Sequence, residues 1–180
     1  LTWETISRPV LKETTYFRPL VFATYVLETK YFGVNPLVSH VVNILIFIVN
    51  IFLAYFLSFF IFQKLKIKNL AWLVAMLYAF HPTLVESNAW IAGRFDLLCA
   101  TFLFSALLVF FSRKKTGIFS DLLICSLFIL GLLCKEMAII FPGLLIIYYV
   151  AVNHGNSLLN NIKDFLKNNS RLLIFLFLTI

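Results

Sequence analysis

The sequence predicts an all-α protein: a polytopic bundle of about six transmembrane helices, the last one truncated, preceded by a helix that lies along the membrane surface. Three observations predict this fold. The 180 residues are 62% hydrophobic and only 13% charged, whereas a soluble domain has about 45–50% apolar and about 25% charged residues. The apolar residues are gathered into long runs. Short, basic connectors separate these runs.

The N-terminal region, residues 1–36, is predicted to be an extracytoplasmic loop that contains a juxtamembrane helix. Four hydrophobic residues in it recur at helical spacing: Phe17, Leu20, Val21 and Tyr25. Charged residues stand among them, which is typical of a helix at a membrane surface. The alternative is a loop with incidental hydrophobic residues, since short periodic patterns are weak signals. Asn35 and Pro36 mark the turn into the first span.

Residues 37–180 form the predicted transmembrane bundle, which we expect to be incomplete at both ends. The first span, 37–62, has no acidic or basic residue apart from His40, and it exceeds the roughly 20 residues that cross a bilayer core. We detect no polar face on it, although a soluble helix of this length would need one. The other predicted spans are 70–85, 89–111, 118–133, 137–152 and 172 onward. Because the chain starts without methionine and stops inside an apolar run, we expect an internal piece of a longer protein.

The connectors predict the orientation of the bundle. The basic connectors 63–69, 112–117 and 153–171 alternate with less basic ones, and the positive-inside rule places them in the cytoplasm. Lys-, Asn-, Ile- and Phe-rich usage favours a bacterial inner membrane, with the endoplasmic reticulum as the eukaryotic alternative. The net charge of +7 then indicates topology and contact with anionic membrane lipid, and no nucleic-acid partner.

The opposite, extracytoplasmic face collects seven titratable side chains: Arg18, His81, Glu86, Arg94, Asp96, Lys135 and Glu136. Ionisable groups at membrane depth cost a few kcal/mol each, so they usually pair or line a polar cavity. We therefore predict that these side chains converge in one water-filled cavity. Basic groups there suit a phosphate or diphosphate, and carboxylates suit a divalent metal, sugar hydroxyls or general base catalysis.

Structural roles are the alternatives for the same residues. Arg94 and Asp96 would form an ion pair that holds the hairpin between two spans. His81 would be a hydrogen-bonded interfacial histidine, and Lys135 and Glu136 would form a surface turn. Three cysteines, Cys99, Cys125 and Cys134, have no metal-type spacing, so we predict buried thiols and no metal site built from them.

Several short motifs, taken in order, resemble a known family. Phe17-Arg18-Pro19-Leu20 is similar to the aromatic-Arg-Pro-Leu motif of the membrane-embedded GT-C glycosyltransferases, in the branch of the tetratricopeptide-repeat O-mannosyltransferases. His81-Pro82, Glu86, Gly93-Arg94 and Asp96-Leu97-Leu98 resemble that branch's H-P-x-x-x-E…G-R-x-D-L-L hairpin. Lys135-Glu136, followed by Pro142, resembles its Ser-Lys-Glu corner, with Cys134 at the serine position.

The resemblance implies a polyprenyl- or dolichyl-phosphate sugar donor, a protein or glycan acceptor, and transfer on the periplasmic or lumenal face. It also implies an acidic catalytic residue in the first outer loop. Glu4 and Glu13 lack a recognisable setting, so the catalytic base is expected upstream of Leu1, and the repeats are expected beyond Ile180. The cofactor is unknown, a divalent metal being compatible with the carboxylates. The alternatives are a transporter or lipid flippase for an anionic substrate, and a non-catalytic scaffold.

Overall fold

The computed structural model describes residues 18–68, 70–113, 115–152 and 158–179, and these residues are helical with no strand among them. The all-α prediction is thus confirmed for this part of the chain. The helices are α1 (Pro19–Phe32), α2 (Pro36–Leu65), α3 (Ala71–Ala79), α4 (Pro82–Ala89), α5 (Arg94–Ser112), α6 (Ile118–Cys134), α7 (Phe141–Val152), α8 (Leu158–Asn168) and α9 (Ser170–Leu178). Two 3₁₀ turns, Ile91–Gly93 and Glu136–Ile140, precede α5 and α7. Glu4, Glu13 and Phe17 lie outside the described residues.

Helix α1 confirms that the segment after residue 17 is helical and excludes the loop alternative. Pro19 opens the helix, because proline's fixed φ suits the first turn and its missing N–H would be unpaired there in any case. Gly33 ends it with φ +69, a conformation that glycine adopts without steric cost. Val21 is fully buried, and α1 contacts α2, α5 and α6. The helix is therefore docked onto the bundle along its inner face.

Helix α2 has 30 residues, which gives about 45 Å at 1.5 Å per residue. The expectation that it lacks a polar face is wrong. Its buried positions include four uncharged polar residues: Ser39, Asn43, Asn50 and Ser58. Many of its large apolar side chains, Phe52 and Phe56 among them, are instead exposed. Polar groups inside and apolar groups outside are the arrangement of a helix packed against protein on one side and lipid on the other.

The polar stripe of α2 fixes its register against α5. The Asn50 side-chain amide donates a hydrogen bond to the Leu97 carbonyl at 2.9 Å and accepts one from the Thr101 hydroxyl at 2.8 Å. These bonds lie in the middle of the apolar part of both helices. Because Asn50 is fully buried and bonds to α5 through both ends of its amide, the two bonds hold the helices at one relative height.

The predicted span 70–85 is interrupted in the structure. Helix α3 stops after nine residues, and Pro82 begins α4 three residues after its end. Proline has no N–H to continue a helical ladder and restricts the residue before it to extended conformations; His81 has ψ 122. The break therefore follows from the His81-Pro82 sequence. We call the segment that follows the break, made of α4, Trp90 and the first 3₁₀ turn, the elbow.

Among the described residues, two helical segments are long and apolar enough to cross a membrane by length and hydropathy, Pro36–Leu65 and Ile91–Ser112. Ile118–Cys134 and Glu136–Val152 are apolar but shorter. The number of crossings therefore stays a prediction. Helix α6 begins at the residue predicted for its span, whereas the short amphipathic helix α8 was not predicted.

The core lies where α5 and α6 pack together and receive α7 and α9. Phe128 of α6 stacks on Phe141 with ring centroids 5.6 Å apart. The three cysteines are free and buried, as predicted. We call the two ends of this bundle the Pro36 end and the Leu65 end, after the ends of α2.

A buried ion pair closes the Leu65 end. Arg113 donates a hydrogen bond from Nη1 to Oδ1 of Asp121 at 2.9 Å, and only 2% of the Asp121 side chain is exposed. Arg171 lies 3.7 Å from the other carboxylate oxygen, and Arg113 also donates to the side chain of Asn169. This cluster joins the connector after α5 to the first turns of α6 and α9.

Candidate functional site

A cavity of about 680 Å³ lies at the Pro36 end of the bundle, between the start of α1, the elbow and α5. Four of the seven predicted side chains line it: Arg18, Glu86, Asp96 and Lys135. They come from α1, α4, α5 and the corner after α6. The structure thus brings together two cations and two carboxylates from four separate segments.

Two ion pairs connect these segments. One Nη atom of Arg18 donates to both carboxylate oxygens of Glu136, at 2.8 and 2.9 Å. The Lys135 ammonium donates to Oδ1 of Asp96. Two neighbouring residues of the corner after α6 therefore contact the start of α1 and the first turn of α5. A simple surface turn, the structural alternative for Lys135 and Glu136, does not describe this arrangement.

The pairing of Glu136 changes its acidity. The carboxylate accepts a hydrogen bond from its own backbone N–H and two from Arg18, and both interactions hold the pKa of Glu136 below its ordinary value of 4.5. The backbone bond is the larger cause. Hydrogen bonds to the ionised form favour it over the protonated acid, so Glu136 stays charged in a mildly acidic medium.

Arg94 lies apart from the cavity. Its guanidinium is fully buried and contacts Glu28 at 2.7 Å, not Asp96. Its Nε donates to Asn43 Oδ1 at 2.8 Å, and one Nη donates to the Ser39 carbonyl at 3.1 Å. Arg94 therefore does not join the other predicted residues in the cavity, and the structural alternative, an ion pair between Arg94 and Asp96, is also wrong. The reason is that α1 and α2 bring acceptors to one side of α5, while Asp96 points to the other side, where Lys135 lies.

Backbone groups freed by the elbow are satisfied by the same cluster. The Asn43 amide donates to the carbonyls of Trp90 and Ile91 at 3.1 and 3.2 Å. The Tyr25 hydroxyl donates to the Ile91 carbonyl at 2.6 Å, and the Tyr25 ring lies under the Arg94 guanidinium, 4.3 Å from its centroid. Unpaired carbonyls in an apolar bundle would cost about 1–3 kcal/mol each. The cluster thus stabilises the interruption between α4 and α5.

The elbow also requires a glycine. A Cβ atom on Gly93 would overlap the backbone carbonyl of Ser87. Only a residue without a side chain lets the 3₁₀ turn fold back this closely on α4. Gly93 therefore sets the distance between α4, which carries Glu86, and α5, which carries Asp96.

The remaining predicted residues occupy different positions. His81 is exposed and precedes α4, and it is not part of the cavity lining. Glu86 is exposed, lines the cavity, and has no ion pair among the described residues. Glu136 contacts the cavity only through Arg18.

Sequence reasoning missed two residues at this end. Glu28 is buried, and its position seven residues after the buried Val21 places both on one helix face, a signal that the sequence contains. Trp90 lines the cavity with 67% of its surface exposed. No periodic pattern marks Trp90, because it belongs to the irregular elbow.

An apolar groove of about 230 Å³ adjoins the cavity and shares the Asp96–Lys135 pair with it. It runs between α5 and the segment from the second 3₁₀ turn into α7. Its apolar walls are formed by Cys99, Leu103, Leu107, Met137, Ile140 and Leu144. The charged cavity and the apolar groove thus border on each other at this ion pair.

The described residues contain no group of three or more His, Cys, Asp or Glu side chains that would hold a metal ion. In the cavity, Asp96 forms an ion pair with Lys135. Glu86 is then the cavity carboxylate that has no cationic partner in the described part of the chain. The carboxylates here thus do not form a typical divalent-metal site, which needs several oxygen ligands.

Comparison with known proteins finds relatives of one kind. Human "Protein O-mannosyl-transferase TMTC1" is 34% identical over 148 residues, which are 73% of this chain and 16% of that protein. Human "Protein O-mannosyl-transferase TMTC4" is 32% identical over 157 residues, 76% of this chain and 21% of that protein. Mouse "Protein O-mannosyl-transferase TMTC3" is 27% identical over 158 residues, 83% of this chain and 16% of that protein.

No family model and no solved structure matches the chain. The chain spans between 16% and 21% of the length of the relatives described above. The aligned part nevertheless covers about three quarters of this chain, and the exposed apolar helices agree with a membrane protein. The resemblance that the motifs indicate is thereby confirmed: this chain is homologous to the TMTC protein O-mannosyl-transferases.

Proposed function

We propose that this chain forms the donor-binding part of a multi-pass GT-C-type membrane glycosyltransferase. It transfers mannose from a polyprenyl- or dolichyl-phosphate carrier to a hydroxyl group of a protein acceptor. The observation that carries this proposal is the junction at the Asp96–Lys135 pair, where the charged cavity meets the apolar groove. A lipid-linked sugar phosphate has the same two-part character. The names of the relatives support mannose and a protein acceptor.

The two cations of the cavity bind the phosphate of the donor in this proposal. Arg18 and Lys135 each have a carboxylate partner in the structure, and a phosphate entering between them competes with Glu136 and Asp96. Charge develops on the phosphate as it leaves, so fixed positive groups stabilise the transition state more than the ground state. Arg94, which is buried outside the cavity, is not part of this phosphate site.

The transfer itself is a single displacement. The acceptor oxygen attacks the anomeric carbon, the bond between that carbon and the phosphate oxygen breaks, and the phosphate keeps the electron pair. The acceptor proton passes to a carboxylate that lies outside the described residues. Glu86 and Trp90 form the sugar side of the cavity, because an unpaired carboxylate accepts hydrogen bonds from sugar hydroxyls and an exposed indole ring offers an apolar face.

The Pro36 end is, in this proposal, the periplasmic or lumenal end. Three lysines near the other end of α2, Lys64, Lys66 and Lys68, favour the cytoplasm for the Leu65 end. The bundle then crosses the membrane about six times, with α3 and α4 forming one broken crossing. Broken helices are tolerated at membrane depth where they line a cavity, as the elbow does.

The test is donor-dependent mannosylation by the full-length protein in liposomes. Lys135→Gln is expected to lower kcat/KM on the order of a hundredfold, because one charge that stabilises the leaving phosphate is lost. Lys163→Gln on α8 is the matched control and should retain activity. Equal activities of the two variants would contradict the phosphate site. Transport of the lipid-linked sugar across the bilayer with no mannosylated product would favour a flippase instead.

A further inference from the structure

We propose that Glu28 and Arg94 form a positioning pair that sets the geometry of the donor cavity from behind. The inference rests on the function proposed above and extends it to residues that do not touch the cavity. Both side chains are buried, and neither lines the cavity. Their role is to hold α1 and α5 in one relative position.

The pair connects two of the helices that bring charged residues to the cavity, α1 and α5. Glu28 belongs to the last part of α1, and Arg18 stands directly before the same helix. Arg94 is the first residue of α5, and Asp96 lies in its first turn. A displacement of α1 along α5 would therefore change the distance between Arg18 and Asp96 and disturb the Arg18–Glu136 contact.

The Arg94 guanidinium contacts several groups, and the ion pair with Glu28 is one of these contacts. It contacts Glu28 on α1, the Ser39 carbonyl and Asn43 on α2, and the Thr24 hydroxyl at 3.4 Å. Glu28 also accepts a hydrogen bond from Ser39. The planar fork of arginine satisfies several acceptors at fixed angles, whereas a lysine ammonium is a point charge on a flexible stem. Charge alone therefore does not reproduce this contact.

Asn43 transmits the position of Arg94 to the elbow. Its carbonyl oxygen accepts from Arg94, and this fixes the amide so that its NH₂ group faces the carbonyls of Trp90 and Ile91. Loss of Arg94 would free Asn43 to rotate. The elbow, which carries the sugar side of the cavity, would then lose two of its hydrogen bonds.

The bundle contains a matched control for the loss of a buried ion pair. Asp121 and Arg113 form such a pair at the Leu65 end, and Asp121 is even more buried than Glu28. Glu28→Gln and Asp121→Asn each replace one buried carboxylate by the amide of the same shape. Both variants lose a buried charge pair, but only the Glu28 pair joins two helices that bring charged residues to the cavity.

The test compares these variants in the full-length protein, with Cys99 as a native reporter. Cys99 is buried and lines the apolar groove, and Cys125→Ala with Cys134→Ala leaves Cys99 as the reactive thiol of residues 18–179. Glu28→Gln is expected to speed maleimide labelling of Cys99 at least severalfold and to lower kcat/KM by up to about a hundredfold. Asp121→Asn should leave both near wild type. Arg94→Lys should behave like Glu28→Gln.

Each outcome decides the matter. If Glu28→Gln and Asp121→Asn change Cys99 labelling and kcat/KM equally, the pair is only a stabilising contact and the proposal is overturned. If the wild-type protein transfers no mannose but Glu28→Gln still exposes Cys99 selectively, the proposed function fails while the positioning pair stands. If the wild type is active and Glu28→Gln leaves both readouts unchanged, the positioning pair fails alone.

Discussion

The Nη2 atom of Arg94 lies 2.7 Å from Oε2 of Glu28, and no more than 7% of either side chain is exposed. A charge pair in such a position is costly to break on one side, because the remaining ion is left buried without a partner. Replacing both residues of the pair by apolar residues costs much less stability. This asymmetry leads to the first prediction.

Arg94→Leu is expected to lower the free energy of unfolding by about 3–5 kcal/mol, the typical cost of leaving one buried charge unpaired. The double variant Glu28→Leu/Arg94→Leu should recover part of that loss. Chemical denaturation in detergent measures both. A double-mutant cycle in which the two losses simply add would contradict the buried pair.

Gly93→Ala is expected to destabilise the protein by about 1–3 kcal/mol, the usual cost of overpacking. Here the added methyl group would overlap the Ser87 carbonyl, and backbone cannot move aside as a flexible side chain does. Gly143→Ala is the control, since a Cβ there meets nothing within 4 Å, and reduced freedom of the unfolded chain should stabilise the protein by up to about 1 kcal/mol. Melting temperatures that fall equally in both variants would argue against the tight elbow.

The Arg18–Glu136 contact is expected to weaken in acid. The pKa of Glu136 in the folded protein lies below 4.5, so the contact stabilises the folded state above that ordinary value and is lost as the pH falls through the lowered pKa. Titration of ¹³C-labelled glutamate by NMR should give the lowered value. In Arg18→Gln the pKa should rise only part of the way, because the larger cause, the backbone hydrogen bond of Glu136, remains. A Glu136 pKa that Arg18→Gln leaves unchanged would argue against the ion pair.

Leu144→Trp is expected to discriminate between donors by the length of their lipid. Leu144 lines the apolar groove, and an indole there would occupy the space proposed for the carrier chain. The KM should rise for a long polyprenyl donor and change little for a short, water-soluble analogue. Ile147→Trp, on an exposed position of the same helix, should affect neither donor. A similar KM change for both donors would place the lipid elsewhere.

Much of the architecture could be predicted from apolar runs and charged connectors. The start of α6 at residue 118 and the helix after Arg18 follow from hydropathy and periodicity. Hydropathy does not reveal the interruption of the span 70–85. The apolar run of α3 passes into α4 without a charged connector between them. The local signal was His81-Pro82, and proline at that position ends one helix and begins another.

The sequence predicted a cavity lined by charged side chains, but not which of these side chains form ion pairs with each other. Arg18, Glu86, Asp96 and Lys135 line one cavity, whereas the prediction placed all seven side chains there. Arg94 does not line it, because its partner Glu28 lies on another helix and sequence spacing says nothing about which distant carboxylate a buried arginine meets. Asn43 and Asn50 were passed over for a similar reason. An uncharged amide in an apolar run shows its importance only when a neighbouring helix supplies the backbone carbonyl.

Asn50 fixes the position of α2 relative to α5 along the bundle axis. A slip of α2 by one residue along α5 would move the Asn50 amide by about 1.5 Å relative to Leu97 and Thr101, and both hydrogen bonds would be stretched. The shape of the cavity at the Pro36 end therefore depends on contacts at the centre of the bundle. A substitution at Asn50 should therefore be felt at the cavity, although Asn50 does not line it.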